Sequence, residues 1–307
     1  MRLLSRLLSR LLLGAAFVVS SLSKFSSIEG FELYLFSFGF ADFDLCSVAA
    51  RLLIAVEFLL GFLIVFNIFY KLSRALTLFS LVVFSAFLFW RVAVGDTESC
   101  HCMGDLVDMN PVQSLVKNGV LGLLLAFAWN CKGRLLPRQT WIALAVSVAS
   151  FAAVFMIAPP DFYYRRGEGS HDLSMEKFAP VADSLGFSDG RRAVCFYSGS
   201  CDHCKHCAAK MAGVIRRHSL PTDRISVLFM QTHANQDSVA VSFFRDSGDG
   251  LDLPYQYLHP FDFLPLTNGS MPIVVLLEDG RLVKEYDYTS LDESEIRDFF
   301  SESSLGD

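Results

Sequence analysis

No stretch of the 307 residues sets lysine and arginine in a stripe between aromatic side chains, so a nucleic-acid surface is set aside at the start. Charge of either sign is scarce in residues 1–158, which hold nearly all the long apolar runs. With 52 % hydrophobic residues and a mean hydropathy of +0.40, the chain is too apolar for an ordinary soluble enzyme. Residues 159–307 read differently, with charges spread throughout a mixed sequence. The formal net charge of −6 conceals this split, because basic residues dominate the short loops of the first half and acidic residues the second. Eight cysteines are many for a cytosolic protein. Most fall in tight groups, Cys100/Cys102 and Cys201/Cys204/Cys207, a spacing that suggests redox or metal work rather than a stapled scaffold.

A spanning helix needs about 20 mostly apolar residues. Five segments approach that: roughly 5–23, 47–70, 75–94, 115–131 and 140–158. Arg6, Ser9 and Arg10 break the start of the first, and its basic lead before Leu11–Ser20 also fits a secretory signal peptide. No clear small-x-small cleavage site follows, which favours an uncleaved span. Arg2, Arg6 and Arg10 precede the first segment, Lys71 and Arg74 follow the second, and Lys132, Arg134 and Arg138 follow the fourth. The alternate loops, about 24–46 and 95–114, carry few basic residues. Positive charge stays inside, so the N-terminus is expected to be cytoplasmic and everything after Pro159 outside an inner (plasma) membrane. Cys46, Cys100 and Cys102 then share the outer side with the C-terminal half.

Glu57 sits about ten residues into the second segment, near mid-membrane at 1.5 Å per residue. Two readings stay open: a protonated carboxyl bonded between helices, or a contact for a proton or a quinone headgroup. Arg51 and Arg91 lie nearer segment ends, from which they can snorkel to the interface. In the outer loop, Cys100 and Cys102 can close a disulfide only with strain, which makes it more oxidising. Free thiols, a separate bridge to Cys46, and a metal site with His101 and Met103 are the alternatives.

Gly14-x-x-Phe17-x-x-Ser20-x-x-x-Lys24, Glu57-x-x-x-Gly61, Cys100-x-Cys102-x-Gly104-Asp105 and Pro111-x-Gln113-Ser114-x-x-Lys117-Asn118 together resemble the DoxX/MauE family over about residues 7–130. The resemblance implies a four-span core, similar in outline to vitamin K epoxide reductase-like proteins, with the fifth span as a tether. It also implies a link to disulfide handling during maturation of exported proteins. The chain lacks the second Cys-x-x-Cys that faces quinone in the reductase-like enzymes. No tightly bound cofactor is therefore expected, with quinone left open at Glu57.

Beyond Pro159-Pro160, Tyr164–Ser170 reads as a flexible linker. Ala193–Tyr197 is a β-favouring run, broken by Ser198-Gly199-Ser200 before Cys201-Asp202-His203-Cys204 and a helical stretch to about His218. Ile225–Met230 reads as a second strand. Met271-Pro272 then precedes the strand Ile273–Leu277, the turn Glu278-Asp279-Gly280, the returning strand Leu282–Tyr286 and an amphipathic helix over Asp292–Phe300. This order resembles the thioredoxin family over roughly residues 178–301. The resemblance implies a cis Met271-Pro272 peptide against the Cys-x-x-Cys, with Pro272 in the substrate-facing wall. Tyr255, Tyr257, His259, Phe261 and Phe263 lie in a stretch longer than a minimal thioredoxin needs, as lid packing or as a partner surface.

Cys201 at a helix N-terminus would be favoured as a thiolate by unpaired N–H groups and the helix dipole, and His203 can add to this. Cys204, one turn on, would resolve the mixed disulfide. The competing reading is metal held by Cys201, Cys204, Cys207, His203 and His206. Cys201 and Cys207 would lie about 9 Å apart along a continuous helix, too far to share one zinc ion at about 2.3 Å per bond. Cys207, Cys195 and Cys131 read as bystanders.

The expected fold is thus an α-helical membrane bundle, a four-helix core plus a fifth tethering span, followed by an α/β thioredoxin-like domain. The expected domains are 1–135, 136–172 (fifth span and linker) and 173–307. The expected function is membrane-bound thiol–disulfide exchange by Cys201 and Cys204, assisted by His203 and Pro272, with Cys100 and Cys102 as a second redox pair. Its partners would be exported protein thiols or a periplasmic thiol carrier, with lipid around the spans. The alternative is a membrane-tethered metallochaperone or maturation factor for an exported redox protein.

Overall fold

The computed structural model describes residues 2–95, 107, 109–129, 138–166, 173–231, 236–247 and 253–301. The chain divides into two compact units, Met1–Leu35 with Leu45–Pro159, and Phe36–Asp44 with Pro160–Asp307.

The helical unit is built on α1 (Arg2–Ser26), α2 (Ile28–Ser37), α3 (Phe43–Val65), α4 (Tyr70–Val94), α5 (Pro111–Ala128) and α6 (Gln139–Ile157). All except α2 contain a stretch long and apolar enough to cross a membrane, and the protein is a multi-pass membrane protein. At 10 residues, α2 is about 15 Å long and cannot span. Glycine sets the approach of α1 to α3. A Cβ on Gly14 would lie 2.9 Å from the Gly61 carbonyl oxygen, and one on Gly61 would lie 2.9 Å from that of Gly14. Small residues let helix backbones meet in this way where lipid offers no hydrophobic drive. Leu13, Phe17, Leu60, Ile64, Leu81 and Leu125 pack together in the bundle. Pro111 opens α5 behind a capping box, in which Asn110 accepts from the Gln113 N–H and Gln113 from that of Asn110.

Arg51 and Arg91 do not snorkel. Arg51 is buried, pairs with Glu32, and donates to the Ser47, Ala158 and Pro159 carbonyls, the last two at 2.6 and 2.9 Å. Those two carbonyls lie at the end of α6, where no helical N–H remains to bond them. Arg91 is buried and donates to the Tyr34 hydroxyl at 2.9 Å. Without water, an inward donor that meets several acceptors outweighs a route to the interface.

The second unit carries α7 (Met175–Ser184), β1 (Arg191–Tyr197), α8 (Asp202–His218), β2 (Ile225–Met230), α9 (Gln236–Asp246), β3 (Tyr255–Leu258), α10 (Pro260–Leu266), β4 (Ile273–Glu278), β5 (Arg281–Tyr286) and α11 (Glu293–Ser301). The strands form one mixed sheet in the order β3-β2-β1-β4-β5. β1 is central, parallel to β2 and antiparallel to β4, and its last five residues are buried. Phe178, Val194, Phe196, Leu228, Phe263 and Val275 belong to the core beside it. Asp279 and Gly280 have φ of 50° and 72°, the left-handed pair that a two-residue hairpin requires. The sheet and its flanking helices have the arrangement of a thioredoxin-like domain. The edge strand β3 was not among the expected elements.

Candidate functional site

β1 delivers the chain to the cysteines. It ends at Tyr197, and the following turn passes Gly199, where a Cβ would lie 2.2 Å from Val239 Cγ1. Cys201 is the N-cap of α8, with extended backbone angles, and its N–H donates to the Ser198 carbonyl at 3.1 Å. Its Sγ accepts the Cys204 N–H at 3.3 Å. A sulfur thus takes the capping position that an oxygen usually holds.

Cys201 is partly exposed and Cys204 fully buried. Burial, followed by the hydrogen bond with Cys201, pushes the Cys204 thiol far above the ordinary cysteine range. His203 is exposed and sets its ring edge-on to Tyr288, with centroids 5.0 Å apart. The Tyr288 carbonyl accepts from Lys210 Nζ at 2.9 Å, and Lys210 pairs with Asp161 at 2.5 Å. These contacts fix the Asp287–Ser290 turn beside α8.

Met271-Pro272 is cis. Phe196 pairs with Ile273, so Pro272 comes one residue before a strand partner of Phe196, at the end of the sheet from which the cysteines emerge. Cys207 faces the core instead, where its sulfur lies 3.6 Å from the Tyr197 hydroxyl. Burial raises Cys207 to about 11 and Cys195 to about 12. Among the described residues no group of three or more histidine, cysteine and carboxylate side chains could hold a metal ion.

A second polar site lies in the helical unit. Lys24 on α1 reaches Glu57 on α3, Nζ to Oε2 at 2.6 Å, and Ser20 at 3.2 Å. Glu57 thus has a cationic partner 33 positions away in the chain, which neither reading of the sequence supplied. Lys117 and Asn118 on α5 line the same cavity.

Residues 2–130 match the family model described as methylamine utilisation protein MauE. The helical unit carries a MauE domain. Protein TlpB of Flavobacterium psychrophilum is 24 % identical over 335 aligned positions, which take in 90 % of this chain and 89 % of TlpB. The MauE domain and the α/β unit therefore lie together in a likeness that runs along most of both chains. The motif residues of this region fall into three groups in the structure. Gly14 and Gly61 form the close helix contact, Pro111 and Gln113 the α5 cap, and Phe17, Ser20, Lys24, Glu57, Lys117 and Asn118 the cavity wall. Cys100, Cys102, Gly104 and Asp105 lie outside the described residues, as does Cys131.

Proposed function

We propose that the chain is a membrane-bound thiol–disulfide oxidoreductase whose Cys201/Cys204 pair exchanges disulfides with exported proteins. The observation that carries this reading is a sulfur at a helix N-cap, receiving the Cys204 N–H, with a second thiol buried one turn behind. The Cys201 thiolate attacks one sulfur of a partner disulfide, forming a mixed disulfide and expelling the partner's other sulfur as a thiolate. Cys204 then gives up its proton and attacks the Cys201 sulfur, closing the Cys201–Cys204 disulfide and releasing the partner as a dithiol. The partner gains two electrons and two protons; in reverse, it is oxidised. His203 supplies a positive or donor group near Cys201, and Pro272 a wall against which a partner chain lies.

For the reduced pair we assign Cys100 and Cys102 as electron acceptor. A disulfide closed between residues only two positions apart would be the more strained, so on this reading it takes the electrons and Cys201/Cys204 becomes the disulfide. The basic loops orient the α/β unit outside the inner membrane, among exported protein thiols and periplasmic thiol carriers.

The test uses Cys204→Ser in intact membranes, non-reducing gels, and protease cleavage between residues 167 and 172. The variant should accumulate mixed disulfides through Cys201, some joining the two cleavage products through Cys100 or Cys102. Adducts only with separate proteins would remove the internal relay. Absence of any adduct, with tight copper or zinc binding by the reduced protein, would replace exchange with metal delivery.

A further inference from the structure

The helical unit holds a cavity of about 200 Å³ that the thiol chemistry leaves unused. Its walls come from α1, α2, α3, α4 and α5, and its ionisable groups are Lys24, Glu57 and Lys117. Lys24 is well satisfied. It bonds Glu57 and Ser20, and its Nζ lies 5.7 and 5.6 Å from the ring centroids of Phe31 and Phe84. Lys117 has no hydrogen bond or ion pair among the described residues. Two lysines against one glutamate leave a formal surplus of one positive charge inside a membrane-spanning bundle. Such a charge is costly in hydrocarbon surroundings unless a counter-charge accompanies it.

We propose that this cavity binds the anionic headgroup of a bilayer amphiphile, a carboxylate on a single hydrocarbon chain, with Lys117 as its direct partner. One negative charge cancels the surplus. Asn118 donates one amide N–H to Ser85 at 3.2 Å and has a second N–H for the ligand. The volume is below the roughly 300–1,000 Å³ of sites that enclose a whole drug-sized ligand, so it suits a headgroup and not the whole molecule. Leu53 and Val56 line the cavity and are 39 % and 41 % exposed, which gives the hydrocarbon chain a way out to the lipid. A phospholipid phosphodiester shares this anionic chemistry, so the experiment separates the two sources.

The full-length protein in phosphatidylcholine nanodiscs is titrated with the fluorescent fatty acid cis-parinaric acid. Saturable binding at one site per chain is expected, weakened about tenfold or more by Lys117→Met through loss of a charged hydrogen bond. Lys117→Arg should keep most of the affinity. Glu57→Gln should tighten binding, because it removes a like charge and frees a second lysine; a merely structural role would not move affinity that way. Displacement by unlabelled oleate but not by phosphatidylglycerol identifies the free carboxylate, whereas displacement by phosphatidylglycerol identifies a phospholipid headgroup at the same anionic site. Uptake that never saturates, or equal affinity in Lys117→Met at an unchanged melting temperature, overturns the proposal. So does equal, Lys117-independent binding of uncharged menadione. None of these results bears on trapping by Cys201, so the two readings fail separately.

Discussion

In the helical unit Arg10, Lys24, Arg51, Arg74 and Arg91 are all buried, whereas the centre of the α/β unit is phenylalanine, valine and cysteine, with Lys210 and Glu293 as the buried charged side chains among its described residues. The difference follows from the solvent. Water drives apolar side chains into the core of the α/β unit at roughly 25 cal/mol per Å². Lipid tails give no such drive, so the helices are held by close packing and by bonds from buried donors. Arg74 shows the pattern, donating to the Trp129 carbonyl at 2.5 Å and to Asn67 at 2.9 Å. In the α/β unit the same burial that supplies stability also holds the Cys195, Cys204 and Cys207 thiols in their protonated form.

The largest effects come from removing one anchor of each kind. Arg51→Met leaves the Glu32 carboxylate buried without its partner and should cost about 3–5 kcal/mol. Phe196→Ala opens a cavity beside the sheet and should cost about 3–5 kcal/mol as well. The two should part company on repair. Adding Glu32→Met to Arg51→Met should recover much of the loss in thermal unfolding, since an apolar pair can replace an ion pair. No recovery would mean that Arg51 acts through the α6 carbonyls and not through the ion pair. A smaller effect, about 1–3 kcal/mol, is expected for Gly61→Ala, whose new Cβ would meet Gly14 and Val18 backbone atoms at 2.9 Å. Unfolding of the helical unit should register this loss, and an unchanged melting temperature would show that the α1–α3 crossing yields easily.

Alkali should separate the units most gently. Cys195 and Cys207 keep their protons in the folded chain up to about 12 and about 11, while the unfolded chain releases them near the ordinary value of about 8.5. Above that point the folded state binds more protons, so its stability falls as pH rises. The contribution is complete below pH ~8.5 and fades toward the raised values, at up to about 1.4 kcal/mol per pH unit for each thiol. The α/β unit should therefore lose melting temperature between pH 9 and 11. Cys207→Ala should flatten the slope, and an equal slope in that variant would rule out the thiol as its source.

The long elements were legible because length and apolar content alone mark them. The five spanning stretches, the Cys-x-x-Cys helix and the Asp279-Gly280 hairpin all lie where pattern and turn chemistry put them. What was illegible depends on partners distant in the chain. Glu57 could be seen as a carboxylate within a span, but its bond to Lys24 exists only because Gly14 and Gly61 bring α1 onto α3. Arg51 looked free to reach water because the α6 carbonyls it bonds are more than 100 positions away. β3 escaped notice for a local reason. Its four residues lie between Pro254 and Pro260, too short a run for alternation alone to mark a strand.

Those same prolines bear on how the sheet meets other proteins. A β-sheet ends in rows of unpaired backbone groups, onto which any extended chain can add as a further strand. β3 is only four residues long and is bracketed by rings that cannot donate, while the opposite edge, β5, carries Arg281 and Lys284 beside Val283 on its exposed positions. Both margins are therefore poor templates. An unfolded polypeptide that drifts against this sheet finds little to zip onto, so under the proposed exchange the lasting contact falls to the sulfur at the tip of α8.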